Sequence, residues 1–349
     1  MFFILALSII SIDGYSSMYI SQGGRNTWIF TIISSLILIF YGYFLFLVCN
    51  KTKTYDFKKI IYSSLGTKIG NFYLFLFGIC LILSAIECAS VNASTIHTNL
   101  FLETPIWFLL IFFIASTFYC LTKPLDTLLI LVISLISIAI FSGIFIEILV
   151  FKYVDFKNLF PVFETSFNLH QLKCIIYQIG AMSSFILAFP LISNVQDKKN
   201  LKKYSLFIFC FIAQISIYLM ITIIGTFGAN RAGNIFYPKL IQSQKVYYGG
   251  FLENGELFIL FQIILNWSLK YLISLNILFE LFKEKFKNKN FFACTISIII
   301  FVACCFFSEN ILFLINYLKI YQYINFIVLF AFPLIIFSIY LLKNKTKSS

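Results

Sequence analysis

Three ionisable residues sit deep inside apolar runs of this sequence: Asp13, Glu87 and Lys270. Each lies within a few residues of the middle of a run of about 20 mostly apolar residues, the length that crosses a bilayer. A charge at that depth costs roughly 2.5–3.5 kcal/mol on insertion scales, so such residues pair, hold a polar ligand or relay a proton. Two acids and one lysine allow a buried pair, Lys270 with Asp13 or with Glu87. A buried lysine also loses its proton readily. A proton-linked role therefore stands beside a purely structural pair that fixes helix register. Glu147 and Glu280 are different, because they fall near the ends of their runs, where a carboxylate reaches the headgroups.

The neighbours of these charges follow a pattern. Lys270 lies on the stripe Gln262, Asn266, Lys270, Ser274, spaced four residues apart and so on one helical face. Glu87 lies on a second stripe: Ser84, Glu87, Ser90 or Val91, Ser94. Both stripes are expected to face the interior of a helix bundle. Around Asp13 the chain reads Ser11-Ile12-Asp13-Gly14-Tyr15-Ser16-Ser17, and much later it reads Gly180-Ala181-Met182-Ser183-Ser184. Both segments are small, polar and helix-weakening. Broken backbone at mid-membrane is tolerated where it lines a cavity or is buried in protein, and freed amides would point positive charge at an anionic group. Close packing of small residues between helices is the other reading of the same pattern. The candidate ligand-binding residues are Asp13, Gly14, Ser16 and Ser17 on the first segment and Gly180, Ala181 and Ser183 on the second. Glu87, Asn266 and Lys270 complete the set.

The elements that would position them are membrane spans. The chain has 349 residues, is 60% hydrophobic and only 11% charged. A soluble domain carries about 25% charged residues, so a soluble enzyme is excluded and a polytopic membrane protein remains. Apolar runs near 2–21, 27–48, 69–98, 104–121, 126–151, 171–193, 204–226, 256–281, 291–307 and 318–342 suggest ten spans. Lysine clusters at 51–68, 198–203, 283–289 and 343–347 fall on the side of both termini, which predicts cytoplasmic termini. No basic leader precedes Phe2-Phe3-Ile4, so no signal peptide is expected. The long loops 152–170 and 227–255 lie on the outer side, where short interfacial helices are expected. Ten spans divide as five plus five. That division predicts one membrane domain, 1–349, built from inverted repeats at 1–151 and 171–349, joined by the outer loop 152–170 and broken in spans 1 and 6.

The remaining chemistry is sparse. The net charge of +12 comes from lysine clusters between spans rather than from a basic, aromatic-lined groove, so nucleic acid is not an expected partner. Nine cysteines without a CxxC pair, and two distant histidines, suggest no metal site and no cofactor. No Ser–His or Cys–His constellation suggests an enzyme, and His97 and His170 read as loop or helix-end residues. No charge ring or carbonyl filter suggests a channel.

The order of short motifs carries a resemblance. They are Leu65-Gly66-x-Lys68-x-Gly70, then Leu102-Glu103-Thr104-Pro105, then Asp155-x-x-Asn158-Leu159-x-Pro161-Val162-x-Glu164. Phe189-Pro190 and Tyr237-Pro238 follow, and then Phe251-Leu252-Glu253 with Glu256 and Lys270. In this the chain resembles the spore germination permeases, the B subunits of germinant receptors, within the amino acid–polyamine–organocation superfamily. It departs where Ala181 follows Gly180, a position at which that family commonly has glutamate. The leader before span 1 is also nearly absent here, and the proline usual in the outer part of span 1 is missing. The resemblance implies an all-α, LeuT-like bundle in the spore inner membrane, assembled with a receptor A subunit and a lipoprotein C subunit. It implies a small nutrient ligand, such as an amino acid, bound at the broken helices. A proton-coupled amino-acid transporter of the same superfamily is the alternative reading.

Overall fold

A computed structural model describes residues 14–163, 166–195, 198, 200–247, 250, 254–286 and 288–345. Asp13, Glu164 and the Phe251-Leu252-Glu253 motif lie outside the described residues. Within them the regular structure is helical, with no strand. The longer elements are α1 (Ser16–Gly23), α2 (Thr27–Thr52), α3 (Phe57–Asn99), α4 (Ile106–Thr122), α5 (Leu125–Val150) and α6 (Leu169–Met182). They continue with α7 (Leu201–Phe227), the short α8 (Ala229–Asn234) and α9 (Pro238–Gln244), and α10 (Glu256–Leu281). The chain ends in α11 (Lys289–Ser308), α12 (Ile311–Asn325) and α13 (Phe332–Lys345).

Eight helical runs among the described residues are long and apolar enough to cross a membrane. The count differs from ten for two physical reasons. Residues 16–52 form one run that holds the end of the first expected span and all of the second. Within it Gly24, at φ 58°, ends α1 before α2 begins. The fourth expected span, α4, has 17 residues and is shorter than the rest. Its length at about 1.5 Å per residue falls just short of a hydrocarbon core. The third run is longer than the sequence suggests, because α3 starts at Phe57 and bends at Gly66. Gly66 has φ 77°, a left-handed conformation that a side chain would strain.

The outer surface carries large apolar side chains. Phe40, Phe141 and Phe207 are each more than 70% exposed. In water such a surface would drive aggregation; around a membrane bundle it faces lipid tails. The buried interior is aromatic and close-packed, with Phe185, Phe189 and Phe209 wholly enclosed. Phe46 on α2 meets Phe209 on α7 with ring centroids 6.4 Å apart.

Two spans depart from α geometry. At Ser183 the helix α6 gives way to a 3-10 helix that runs to Asn194 and contains Pro190. This change falls within the Gly180–Ser184 segment expected to be weak. The second departure carries no such signal in sequence. Between α12 and α13, residues Phe326–Ala331 form a π-helix. The Tyr41 hydroxyl donates to the Leu329 carbonyl at 2.6 Å and the Tyr73 hydroxyl to the Val328 carbonyl at 3.3 Å. Side chains from α2 and α3 thus hydrogen-bond to two carbonyls of the π-helix. The long loops hold short helical turns, at Phe151–Tyr153 and Phe156–Leu159 in one and as α8 and α9 in the other.

Candidate functional site

The two polar stripes meet. Lys270 Nζ on α10 lies 2.7 Å from Glu87 Oε2 on α3, and both side chains are fully enclosed. The Ser84 and Ser274 hydroxyls are 3.1 Å apart in the same interface. Further along α3, Ser94 accepts a hydrogen bond from the Tyr237 hydroxyl at 2.9 Å. Burial of an ion pair is favourable only when the remaining oxygens and protons are also engaged. The second carboxylate oxygen of Glu87 accepts the hydroxyl of Tyr15. Lys270 Nζ also lies 5.6 Å from the Trp267 ring centroid, a cation–π contact.

Tyr15 reaches Glu87 because the backbone there is irregular. It has φ −118° and ψ 12°, outside helical values, immediately before α1 begins at Ser16. Gly14 permits the close approach of span 8. A Cβ on Gly14 would lie 2.7 Å from Trp267 Cζ2. The Tyr15 and Trp267 rings then sit with centroids 6.3 Å apart. Spans 3 and 8, at their interiors, and the described end of span 1 therefore converge on one carboxylate and one ammonium.

A cavity of about 30 Å³ adjoins this cluster, lined by Gly14, Thr95, Tyr237, Lys239, Asn266 and Trp267 among others. That is room for roughly one or two waters, so the site is closed in this structure. Over it lies α9, whose Lys239 pairs with Glu147 on α5 and donates to Gln242 Oε1 at 3.1 Å. The Gln242 amide in turn donates to the Thr222 carbonyl at 2.9 Å and the Thr226 hydroxyl at 2.7 Å. Glu147 is thus held by a protein cation. It does not need the headgroup environment expected of a span-end acid.

The structure gathers some of the sequence-derived residues and separates others. Gly14 and Asn266 line the cavity, and Glu87 and Lys270 form the pair beside it. Ser16 is fully buried on α1, and Ser17 donates to the Phe236 carbonyl at 2.9 Å, tying α1 to the loop before α9. Gly180 serves a different contact: its α face rests on the backbone carbonyl of Gln322 on α12. Ser183 turns its hydroxyl back to the Gly180 carbonyl at 2.8 Å, and Ala181 is fully buried. Asp13 lies outside the described residues. Among the described residues no group of three His, Cys, Asp or Glu side chains could hold a metal ion. His97 caps the end of α3, with Nδ1 3.0 Å from the Thr104 carbonyl.

Comparison with known families decides the classification. The family described as "Spore germination protein" matches residues 1–314 of this chain. The chain belongs to that family. Among curated relatives it is similar to the protein named "Spore germination protein XB" of Bacillus anthracis. The two are 24% identical over 270 residues, which span 75% of this chain and 74% of the relative. As a spore germination family member it is a multi-pass helical membrane protein.

Sequence reasoning missed four participants. Tyr15 and Trp267 are two aromatic residues in a chain that is 19% aromatic, so type alone does not single them out. Trp267 does lie three residues before Lys270, one helical turn away, and that was the available signal. Lys239 reads as an outer-loop cation and Glu147 as a span-end acid. Nothing in a chain separation of more than ninety residues announces their pairing.

Proposed function

We propose that this family member is the ligand-binding membrane subunit of a germinant receptor, and that it binds a small zwitterionic nutrient at the Glu87–Lys270 pair. The observation that carries the reading is that pair, wholly buried and bracketed by Tyr15 and Trp267. An amino acid has an ammonium and a carboxylate on neighbouring atoms. Its ammonium matches Glu87 and its carboxylate matches Lys270, so it can replace the internal pair without stranding either charge. The closed cavity means that binding requires Trp267 or the α9 region to move. A ligand with different affinity for the closed and opened states shifts the balance between them, which is what a receptor subunit needs.

In this reading the bundle is LeuT-like, with inverted repeats at 1–151 and 171–349. The candidate set is Gly14, Ser16, Ser17, Glu87, Asn266 and Lys270, with Tyr15 and Trp267 added; Gly180, Ala181 and Ser183 join it only where span 6 moves off α12, and Asp13 is a candidate by its place in the sequence. The termini face the cytoplasm, the membrane is the spore inner membrane, and the partners are the receptor A and C subunits. The name of the Bacillus anthracis relative supports the germination context.

The test uses spores whose own copy of this gene carries Lys270→Ala or Glu87→Gln. Because each single variant strands a buried charge, membrane levels are measured beside the response, and the response to amino acids should be lost also in the double variant Lys270→Met with Glu87→Gln, which strands neither. A normal response with either variant would remove the central site. Uptake of labelled amino acid by proteoliposomes holding this chain alone would assign the transporter function instead.

A further inference from the structure

Gln322 and Asn325 lie one turn apart at the end of α12, and both are buried. Among the described residues, they alone leave both side-chain amide atoms, nitrogen and oxygen, enclosed without a hydrogen-bond partner. The Tyr321 hydroxyl, beside Asn325, is enclosed and without a hydrogen bond as well. Buried polar side chains are paired as a rule, because an unmade hydrogen bond in a dry interior is costly. A hydroxyl can turn back to a carbonyl of its own helix, as Ser183 does here. Two neighbouring amides with all four atoms unengaged are a different case.

Their place ties them to the central pair. Tyr317, Tyr321 and Asn325 follow at four-residue spacing on one face of α12. That face meets α3, where the Tyr317 hydroxyl donates to the Leu83 carbonyl at 3.0 Å, one turn before Glu87. Tyr321 stands close enough to Glu87 to feel its charge. On the other side, the Gln322 backbone packs on Gly180, in the weak segment of span 6. Directly after Asn325 the chain enters the π-helix, a departure from α geometry that is frequent at functional sites. The amides therefore lie between the α3 face that carries Glu87 and the point where span 6 changes its winding.

Two primary amides offer donors and acceptors in equal number and carry no charge. A charged group among them would lack a counter-ion, and an apolar group would leave every hydrogen bond unmade. A planar group that donates and accepts at once, another carboxamide, satisfies both. We propose that Gln322 and Asn325 read the side chain of the ligand, and that the ligand class is an amino acid with a carboxamide side chain. This inference rests on the zwitterion site proposed above: Glu87 and Lys270 hold the ligand's ammonium and carboxylate, and the α12 amides hold its far end. A site built to hydrogen-bond a polar group rejects the apolar analogue strongly, because its own polar groups are then left unpaired.

L-asparagine and L-leucine have side chains of nearly the same shape and opposite polarity. Their binding is measured by calorimetric titration of the full-length protein in lipid nanodiscs. Asparagine should bind at least about tenfold tighter than leucine. L-aspartate, whose side chain is charged, should bind no better than leucine. In the double variant Gln322→Leu with Asn325→Leu the preference should vanish or reverse while leucine still binds. Asn325→Leu alone, a smaller change, should lose part of the preference. Lys270→Met with Glu87→Gln should abolish binding of both amino acids. Equal affinity of the unmodified protein for asparagine and leucine, or a preference that survives unchanged in Asn325→Leu or in the double leucine variant, overturns the inference and leaves the zwitterion site standing. Binding of none of these amino acids by the unmodified protein, or binding that survives Lys270→Met with Glu87→Gln, overturns the zwitterion site and this inference with it.

Discussion

The Ser84 and Ser274 hydroxyls lie 3.1 Å apart, close to the Glu87–Lys270 pair in the same helix interface. Three residues forward on α3, from Ser84 to Glu87, correspond to four residues backward on α10, from Ser274 to Lys270. The two helices therefore run antiparallel, and two polar contacts fix their register. A slide of α3 by one turn would strand both charges. The buried pair thus does structural work in the closed state, whatever ligand it meets.

Replacing one partner tests that role. In Lys270→Met, Glu87 remains buried without its cation. Breaking a buried pair in this way costs about 3–5 kcal/mol. The melting temperature in detergent should fall clearly, while the double variant Lys270→Met with Glu87→Gln should recover much of the loss. A double variant no more stable than Lys270→Met alone would show that the two residues are not coupled.

Tyr15→Phe removes one hydroxyl and keeps the ring against Trp267. The Glu87 carboxylate then loses its donor on one oxygen, a hydrogen bond to a charged group worth about 1.5–3 kcal/mol. The expected result is a modest loss of thermal stability together with a shift in the nutrient concentration needed for germination. A dose–response curve on spores measures the shift, and an unchanged curve would mean that Tyr15 has no part in the ligand equilibrium.

The stripes on α3 and α10 are legible in sequence because charges are scarce there. Among long apolar runs, Glu87 and Lys270 stand out, and the four-residue spacing of Gln262, Asn266, Lys270 and Ser274 places them on one face. The weak point of span 6 is legible for a similar reason, as small residues cluster at 180–184. Other features leave no such mark. Tyr15 and Trp267 are aromatic residues among many, and their role depends on Gly14 letting α10 come close. The π-helix at Phe326–Ala331 contains no Gly or Pro. It depends on Tyr41 and Tyr73 from other helices, which no local pattern reveals. The placement of Gly180 also turned on tertiary contact, since the residue packs against α12 rather than opening toward the pair.

Gly180→Ala is the sharp test of that contact. An added Cβ would press on the Gln322 backbone carbonyl, which is not a flexible side-chain end and cannot swing aside. Overpacking of this kind costs about 1–3 kcal/mol. Thermal stability should fall more than in Gly24→Ala, a site where a Cβ meets nothing within 4 Å and only the left-handed φ is strained. Equal losses at the two positions would mean that α6 and α12 can separate without cost.

The loop that carries α8 and α9 covers the closed cavity and is held by Lys239 and Glu147. Lys239 also donates to Gln242, which reaches the Thr222 carbonyl and the Thr226 hydroxyl on α7. Lys239→Met breaks the pair and leaves Glu147 partly buried without its cation. The loss falls on α9, because α5 is anchored along α10, whereas apart from that pair α9 meets it through Leu240 in the small apolar cluster with Ile146 and Val150. Amide exchange in residues 238–244 should therefore accelerate by about tenfold or more, in line with a loss of about 1.4 kcal/mol of local stability. Exchange in α3 and α10 should stay unchanged, since the Glu87–Lys270 pair is not touched. If α9 must lift for ligand to enter, the same variant also responds to nutrient faster. Acceleration of exchange without any change in response would show that α9 is a cover that ligand does not need to move.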